Sequence, residues 1–362
     1  MADVRHAGRD GAWPAHPLDQ GVKDGSRALY MGAAGILWGL FHLAREGAIA
    51  SDPRWVEWAL ALPEAYRATP DTSRGVPSYF VGEAGILLTA LRARPSAALA
   101  DRLLEVVKSN VRNPTLEMMW GAPGSALAAV FAHELTGDDR WRVVYLDSLQ
   151  ALEHSWREHD GDAYALWTQD LYGRQRRILG AAHGFAGNVF SILRGRSLSS
   201  EVAFGAAVGR AVAALRATVE LDGDRANWPS DTGRERFYLQ WCHGAPGVLT
   251  SFARAPADPA LDALWLPAAE LVWQAGPLRK GPNLCHGTAG NGAALLATFV
   301  RTGDERWLDR ARRFGMHAIA QVAAARAENG RGRYSLWLGD IGVAVYLWHC
   351  IHGTSGLPSL DF

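Results

Sequence analysis

Two of the three cysteines in this 362-residue chain stand in near-copies of one phrase. Gln240 to Val248 reads QWCHGAPGV, and Asn283 to Asn291 reads NLCHGTAGN. Each places a cysteine before a histidine and the histidine before a glycine. Thiolate sulfur and imidazole nitrogen are zinc donors, and three protein donors with an open fourth position are the pattern of a catalytic zinc. Cys242, Cys285 and His286 make such a set. Two thiolates and a neutral imidazole balance the charge of Zn²⁺, and soft sulfur selects zinc over magnesium or calcium. A thiol entering the open position would lose its proton, because coordination lowers thiol pKa. The set therefore suits thiol activation better than hydrolysis by metal-bound hydroxide. His183, in AAHGFAGN, has the same glycine context without a cysteine. It is a candidate general acid or base near neutral pH. His243 is a candidate outer partner of a ligand, a proton donor, or packing. The third cysteine, Cys350 in WHCIH, looks like a metal motif but lies at the far end of the last apolar segment. It is read as core.

These residues belong to a repeat. Gly-x-x-Gly followed by small or apolar residues occurs seven times, with first glycines Gly32, Gly82, Gly121, Gly184, Gly244, Gly287 and Gly339. The spacing of roughly 40 to 60 residues is that of a repeat architecture. Each phrase runs into an apolar stretch of helical length, and most intervals hold a second, amphipathic helix. Ser51 or Asp52 as an N-cap, with Pro53 in the first turn, marks one such start; Phe204, Val208, Val212 and Leu215 line one face of another. TGDDRW at Thr136 and TGDERW at Thr302 keep the same register. An all-apolar helix must be buried on every side, and a closed ring does this without caps. The expectation is an all-α fold, an α/α toroid or double ring of seven helical hairpins. Residues 26 to 362 would form a single domain behind an irregular segment, 1 to 25. All seven phrases then face one pole. The residues just before the first glycines are Met31, Val81, Trp120, His183, His243, His286 and Leu338. The histidines fall in three adjacent repeats.

The bulk composition narrows the function classes. Lys+Arg and Asp+Glu are both 37, so no net field favours nucleic acid or an anionic membrane. Hydrophobic residues make up 48% of the chain, without an uninterrupted run of spanning length. Three cysteines give no disulfide framework, and free thiols suit a reducing compartment. With no signal-peptide pattern at the N-terminus, the expected location is cytoplasmic.

ILGAAHGFAGN, QWCHGAPGV and NLCHGTAGN resemble the three signature phrases of the lanthionine synthetase C-like family. The likeness runs from Ala28 to the C-terminus, and WCHGAPG is closer to the eukaryotic-type members. The resemblance implies a double α-helical toroid with one zinc, ligated by Cys242, Cys285 and His286. It implies His183 as the catalytic acid or base. Family activity is addition of a cysteine thiol across dehydroalanine or dehydrobutyrine. Cyclases close lanthionine rings within a precursor peptide; eukaryotic-type members add glutathione to such residues in proteins. The resemblance also brings in Glu117, four residues before Gly121, where the family often carries an acid that could orient a substrate or His183. Lys280, in KGPNLCHG, matches a lysine that contacts glutathione or phosphate in eukaryotic-type members. Arg333, in GRYSLW, resembles another arginine of that group. The chain departs from the family at His243, where some bacterial cyclases carry tyrosine.

Two functions from different classes remain open at this level. One is zinc-dependent thioether formation on a dehydrated peptide or protein, with an internal cysteine or glutathione as the thiol. It would need a separate dehydratase or kinase to make the acceptor. The other is a non-catalytic, zinc-containing binding or scaffold protein of the same fold. A toroid glycoside hydrolase would need paired carboxylates near the pole. Glu83 and Asp340 lie in the glycine phrases, but in repeats two and seven and without such partners.

Overall fold

The computed structural model describes residues 4, 8, 11–19, 25–159, 161, 163–233 and 236–362. About half of the segment expected to be irregular, 1 to 25, lies outside the described residues. In chain order the thirteen α-helices among them are α1 Ala33–Arg45, α2 Arg54–Ala68, α3 Glu83–Ala93, α4 Ala97–Asn110, α5 Ala122–Thr136, α6 Arg140–Ser155, α7 Phe185–Arg194, α8 Glu201–Thr218, α9 Ala245–Phe252, α10 Pro259–Ala275, α11 Thr288–Thr302, α12 Glu305–Asn329 and α13 Asp340–His352.

The seven odd-numbered helices each begin directly after the first glycine of a phrase. Each packs on the next, and α13 packs back on α1, so the inner ring closes. Closure explains their composition. In α7 every residue from Phe185 to Leu193 is buried, and in α5 every residue from Ala122 to Ala132. The even-numbered helices are amphipathic and sit in the notches outside: α2 lies on α1 and α3, α4 on α3 and α5, α10 on α9 and α11. Phe204, Val208, Val212 and Leu215 are the buried face of α8, as their spacing predicts. Gly137 and Gly303 end α5 and α11 in the left-handed conformation, which fixes the shared register of the two TGD phrases.

The seventh repeat differs. No outer helix comes after α13; residues 353–362 instead turn back beneath the ring. The Tyr79 hydroxyl donates to the Ser359 carbonyl at 2.9 Å, and Trp38 Nε1–H to the Phe362 carbonyl at 2.9 Å. Asp361 pairs with Arg254, and Leu357 and Leu360 are buried. This tail closes the pole opposite the glycine phrases. Cys350 is buried at that end, where Tyr346 hydrogen-bonds it and burial pushes its thiol up to about 11. It belongs to the core, as read from the sequence.

Among the described residues three two-stranded antiparallel sheets decorate the ring: β1 Arg157–Glu158 with β2 Ala165–Leu166, β3 Gln169–Leu171 with β4 Arg174–Arg176, and β5 Glu220–Asp222 with β6 Arg225–Asn227. Strands of two or three residues are too short to show an alternating pattern. Among the described residues, no helix is long and apolar enough to cross a membrane.

The second glycine of every phrase is explained by one close approach. A Cβ on Gly247 would lie 2.1 Å from the Trp241 carbonyl oxygen, and one on Gly290 1.9 Å from that of Leu284. The same six-residue relation holds in all seven phrases, so the chain turns tightly against its own helix start. The turn aims the residues before the first glycine at the ring axis.

Candidate functional site

Over five of the seven repeats that aim is fixed by a run of backbone hydrogen bonds at the residue two before the first glycine. Cys242 N–H donates to Cys285 O at 3.1 Å, and Cys285 N–H to Trp337 O at 3.1 Å. Trp337 N–H donates to Tyr30 O at 3.3 Å, and Tyr30 N–H to Phe80 O at 2.8 Å. Repeats five, six, seven, one and two are thus linked in series by one main-chain bond each, whereas in repeat three the Met119 N–H goes to Glu117. The two cysteines, 43 positions apart in sequence, become direct neighbours.

The donor atoms of Cys242, Cys285 and His286 all lie within 4.8 Å of one another. Among the described residues this is the group of three able to hold a metal ion. Both cysteines are buried and His286 is half-buried. The donor chemistry fits. A hydrogen bond with Cys285 lowers the pKa of Cys242, assisted by Gln240 and by the nearby charges of His183 and Lys280. The Cys285 thiol is correspondingly raised, by that same contact and by burial. Burial, with Lys280 and Arg333 nearby, holds His286 low, in its neutral, metal-binding form.

The residue four before the first glycine orients the groups that come after it in the turn. Glu117 is fully buried and accepts from the N–H groups of Met119 at 3.0 Å and Trp120 at 2.6 Å. Gln240, in the same slot, donates through Nε2 to Cys242 Sγ at 2.9 Å. Asn283, again in that slot, accepts from His286 N–H at 3.0 Å. Gln240 and Asn283 are not among the residues singled out from the sequence; comparing this one slot down the repeats would have found them. Asn188 and Asn291 are a second such pair, ending HGFAGN and HGTAGN. Their Nδ2 groups donate to the carbonyls of Leu116, at 2.8 Å, and Leu239, at 3.1 Å, and so pin the turns that carry Glu117 and Gln240. Leu116 holds φ +47°, a left-handed conformation avoided by bulky residues, immediately before Glu117.

His183 Nδ1–H donates to Glu117 Oε2 at 2.8 Å. This leaves Nε2 as the ring nitrogen available to a cavity of about 750 Å³. The wall of this cavity also carries Cys242, Cys285, His286, His243 and Lys280. Lys280 Nζ donates to Gln240 Oε1 at 2.5 Å and lies over the Tyr238 ring. His243 is largely buried with no hydrogen-bond partner at Nδ1 among the described residues. Burial, with His183 and Lys280 nearby, pushes its pKa down to about 4, so it is neutral at pH 7. Tyr30 presents its hydroxyl to Cys285. Arg333 is not on this wall; its guanidinium pairs with Asp19 at 2.5 Å, although its charge is felt at His286. Glu83 and Asp340, the carboxylates a hydrolase would need, are each paired with an arginine, Arg102 and Arg326, and neither lines the cavity.

Comparison with known proteins agrees with this architecture. The sequence model for "Lanthionine synthetase C-like protein" matches residues 23–361. "Glutathione S-transferase LANCL1" of Danio rerio is 27% identical over 312 residues, covering 78% of this chain and 72% of that protein. "LanC-like protein GCL1" of Arabidopsis thaliana is 31% identical over 181 residues, covering 48% of this chain and 40% of that protein. The solved structure titled "Nisin cyclase" superposes with a TM-score of 0.68 over 93% of this chain and 91% of that one, at 17% identity, and shows a shared fold. The chain belongs to the lanthionine synthetase C-like family.

Proposed function

We propose that this family member catalyses addition of a thiol to the β-carbon of a dehydroalanine or dehydrobutyrine residue, giving a thioether. The observation that carries the reading is a juxtaposition. Three soft metal donors within 4.8 Å of one another and the His183–Glu117 pair open on one cavity. Cys242, Cys285 and His286 would hold a zinc ion, which when bound supplies a Lewis acid that lowers the pKa of an approaching thiol.

The remaining work falls to side chains. Sulfur bonds to the β-carbon, the π electron pair moves toward the acceptor carbonyl, and the α-carbon then needs a proton. His183 is our candidate to deliver it from Nε2, with Glu117 fixing the ring through Nδ1. His243, neutral at pH 7, serves as a hydrogen-bond partner in the wall and not as a proton source. Gln240 holds the Cys242 sulfur, and Lys280 holds Gln240. The Lys280 ammonium favours a thiol that carries a carboxylate. Glutathione is such a thiol, and the printed name of the Danio rerio relative is consistent with it; a cysteine within the modified peptide is the other source. Arg333, bound to Asp19, would act on the substrate only through its charge. Dehydration of the acceptor belongs to a separate protein.

The test is incubation of the metal-loaded protein with a dehydroalanine peptide and glutathione, or with a dehydroalanine peptide carrying its own cysteine. Product is followed by mass spectrometry, with Cys285→Ala alongside. Equal rates for the two proteins would remove the enzymatic reading and leave the zinc-containing scaffold.

A further inference from the structure

Ring position divides the mouth of the cavity. The residues before the first glycines run Met31, Val81 and Trp120 in repeats one to three, then His183, His243 and His286 in repeats four to six. All six line the cavity. One arc is therefore apolar and the other is imidazole, and they meet between Trp120 and His183.

The β3–β4 hairpin stands at that junction. Its two turn residues, Tyr172 and Gly173, have φ of +53° and +71°. Two positive φ values make this a type I′ turn, whose first position favours Asn, Asp or Gly. A tyrosine there holds a conformation that L side chains avoid. Such strain persists where it serves a site, ligand clamps among them. Tyr172 is 76% exposed, yet its ring is aimed: Trp120 Nε1–H donates to its hydroxyl at 3.2 Å, and the rings meet edge to face, 6.3 Å apart. The Trp120 N–H in turn donates to Glu117, the partner of His183. Aromatic rim and acid–base pair are thus one framework.

We propose that Tyr172 and Trp120 form an aromatic clamp for the acceptor peptide, with Tyr172 the specificity-determining residue. The clamp seats the apolar side chain next to the dehydro residue over the apolar arc, which leaves the α-carbon of the dehydro residue at the boundary where His183 stands. The thiol meets the opposite arc, so Tyr172 selects the peptide and not the thiol. This assignment rests on the thiol-addition reading above.

The test uses the metal-loaded full chain and a fluorescein-labelled peptide with a central dehydroalanine, flanked by leucines or by glycines. Tyr172→Gly suits the type I′ turn and preserves the hairpin; Tyr172→Phe keeps the ring and removes only the hydroxyl. Without thiol, Tyr172→Gly is expected to raise the Kd for the leucine-flanked peptide at least about tenfold, with Tyr172→Phe in between. With thiol present, KM for peptide rises in step, while KM for thiol and metal content stay at the wild-type values. An unchanged peptide Kd and KM in Tyr172→Gly overturns the clamp, as does equal binding of the two peptides or no binding by the wild type. Tyr172-dependent binding without any addition would instead overturn the reaction and leave the clamp standing.

Discussion

The N–H of Cys242 donates to the carbonyl of Cys285 at 3.1 Å, so the two sulfur donors are placed by main chain and not by their own side chains. The candidate metal site and the ring closure are therefore separable. Cys285→Ala is expected to keep the helical circular dichroism of the wild type while losing its metal, measured by elemental analysis. Gln240→Leu removes the N–H group that holds the Cys242 sulfur. Outer partners of this kind are worth about 10- to 100-fold in metal affinity, and competition with a chromophoric chelator reads that loss. An unchanged affinity would show that the Gln240 contact is idle.

His183 and Glu117 divide differently. His183→Asn removes a half-exposed ring and is expected to slow thioether formation by roughly 10²- to 10⁴-fold with metal content unaltered, the usual range for loss of a positioned acid or base. Glu117→Gln has a second effect. One of the two oxygens that accept from Met119, Trp120 and His183 becomes an amide NH₂, and a buried donor is left facing a donor. The cost is about 1–3 kcal/mol of stability. The urea midpoint should fall for Glu117→Gln and hold for His183→Asn.

Two glycine substitutions bracket the repeat geometry. Gly247→Ala puts a methyl group 2.1 Å from the Trp241 carbonyl, and relief requires moving the Cys242 turn. Overpacking of this kind costs about 1–3 kcal/mol or more, with loss of metal as the second readout. Gly205→Ala lies on the exposed face of α8, with nothing within 4 Å of the new Cβ. It should raise the thermal midpoint, through a gain of about 0.5–1 kcal/mol. A stable Gly247→Ala protein with full metal would contradict the close-approach account.

At the tail pole, burial pushes His42 down to about 3, with Arg45, His349 and Arg92 adding in the same sense, and burial lowers His349 as well. The unfolded imidazole, near 6.5, takes up a proton as pH falls below that value; the folded one stays neutral to about 3. Protonation therefore favours the unfolded chain, and stability falls from pH 6.5 downward. For His42 the loss between pH 7 and pH 5 is about 2 kcal/mol. His42→Asn keeps an acceptor near Arg45 and should flatten that slope in urea titrations. An equal slope in both proteins would place the acid sensitivity elsewhere.

The apolar stretches after each Gly-x-x-Gly were readable as buried inner helices because burial on every side leaves no polar face. Cys242, Cys285, His286 and His183 were readable together because the repeat puts equivalent positions on one pole. Gln240 and Asn283 were not, since glutamine and asparagine near a helix start ordinarily cap backbone; only the shared slot with Glu117 marks them. The repeat placed Trp120 at the pole, but Tyr172 was hidden for another reason. A short hairpin with strands of three residues has no periodicity, and a left-handed tyrosine cannot be told from an ordinary loop residue. The tail was invisible too, because Phe362 and Ser359 act through contacts with Trp38 and Tyr79, hundreds of positions earlier.

That tail has a kinetic consequence. With Ser359 bonded to both Tyr79 and Trp337, the tail plugs the axis of the ring from below, and Cys242, Cys285 and His286 open on the cavity above. If the proposed addition takes place there, thiol and peptide share that cavity, and a bound peptide would stand in the way of the thiol.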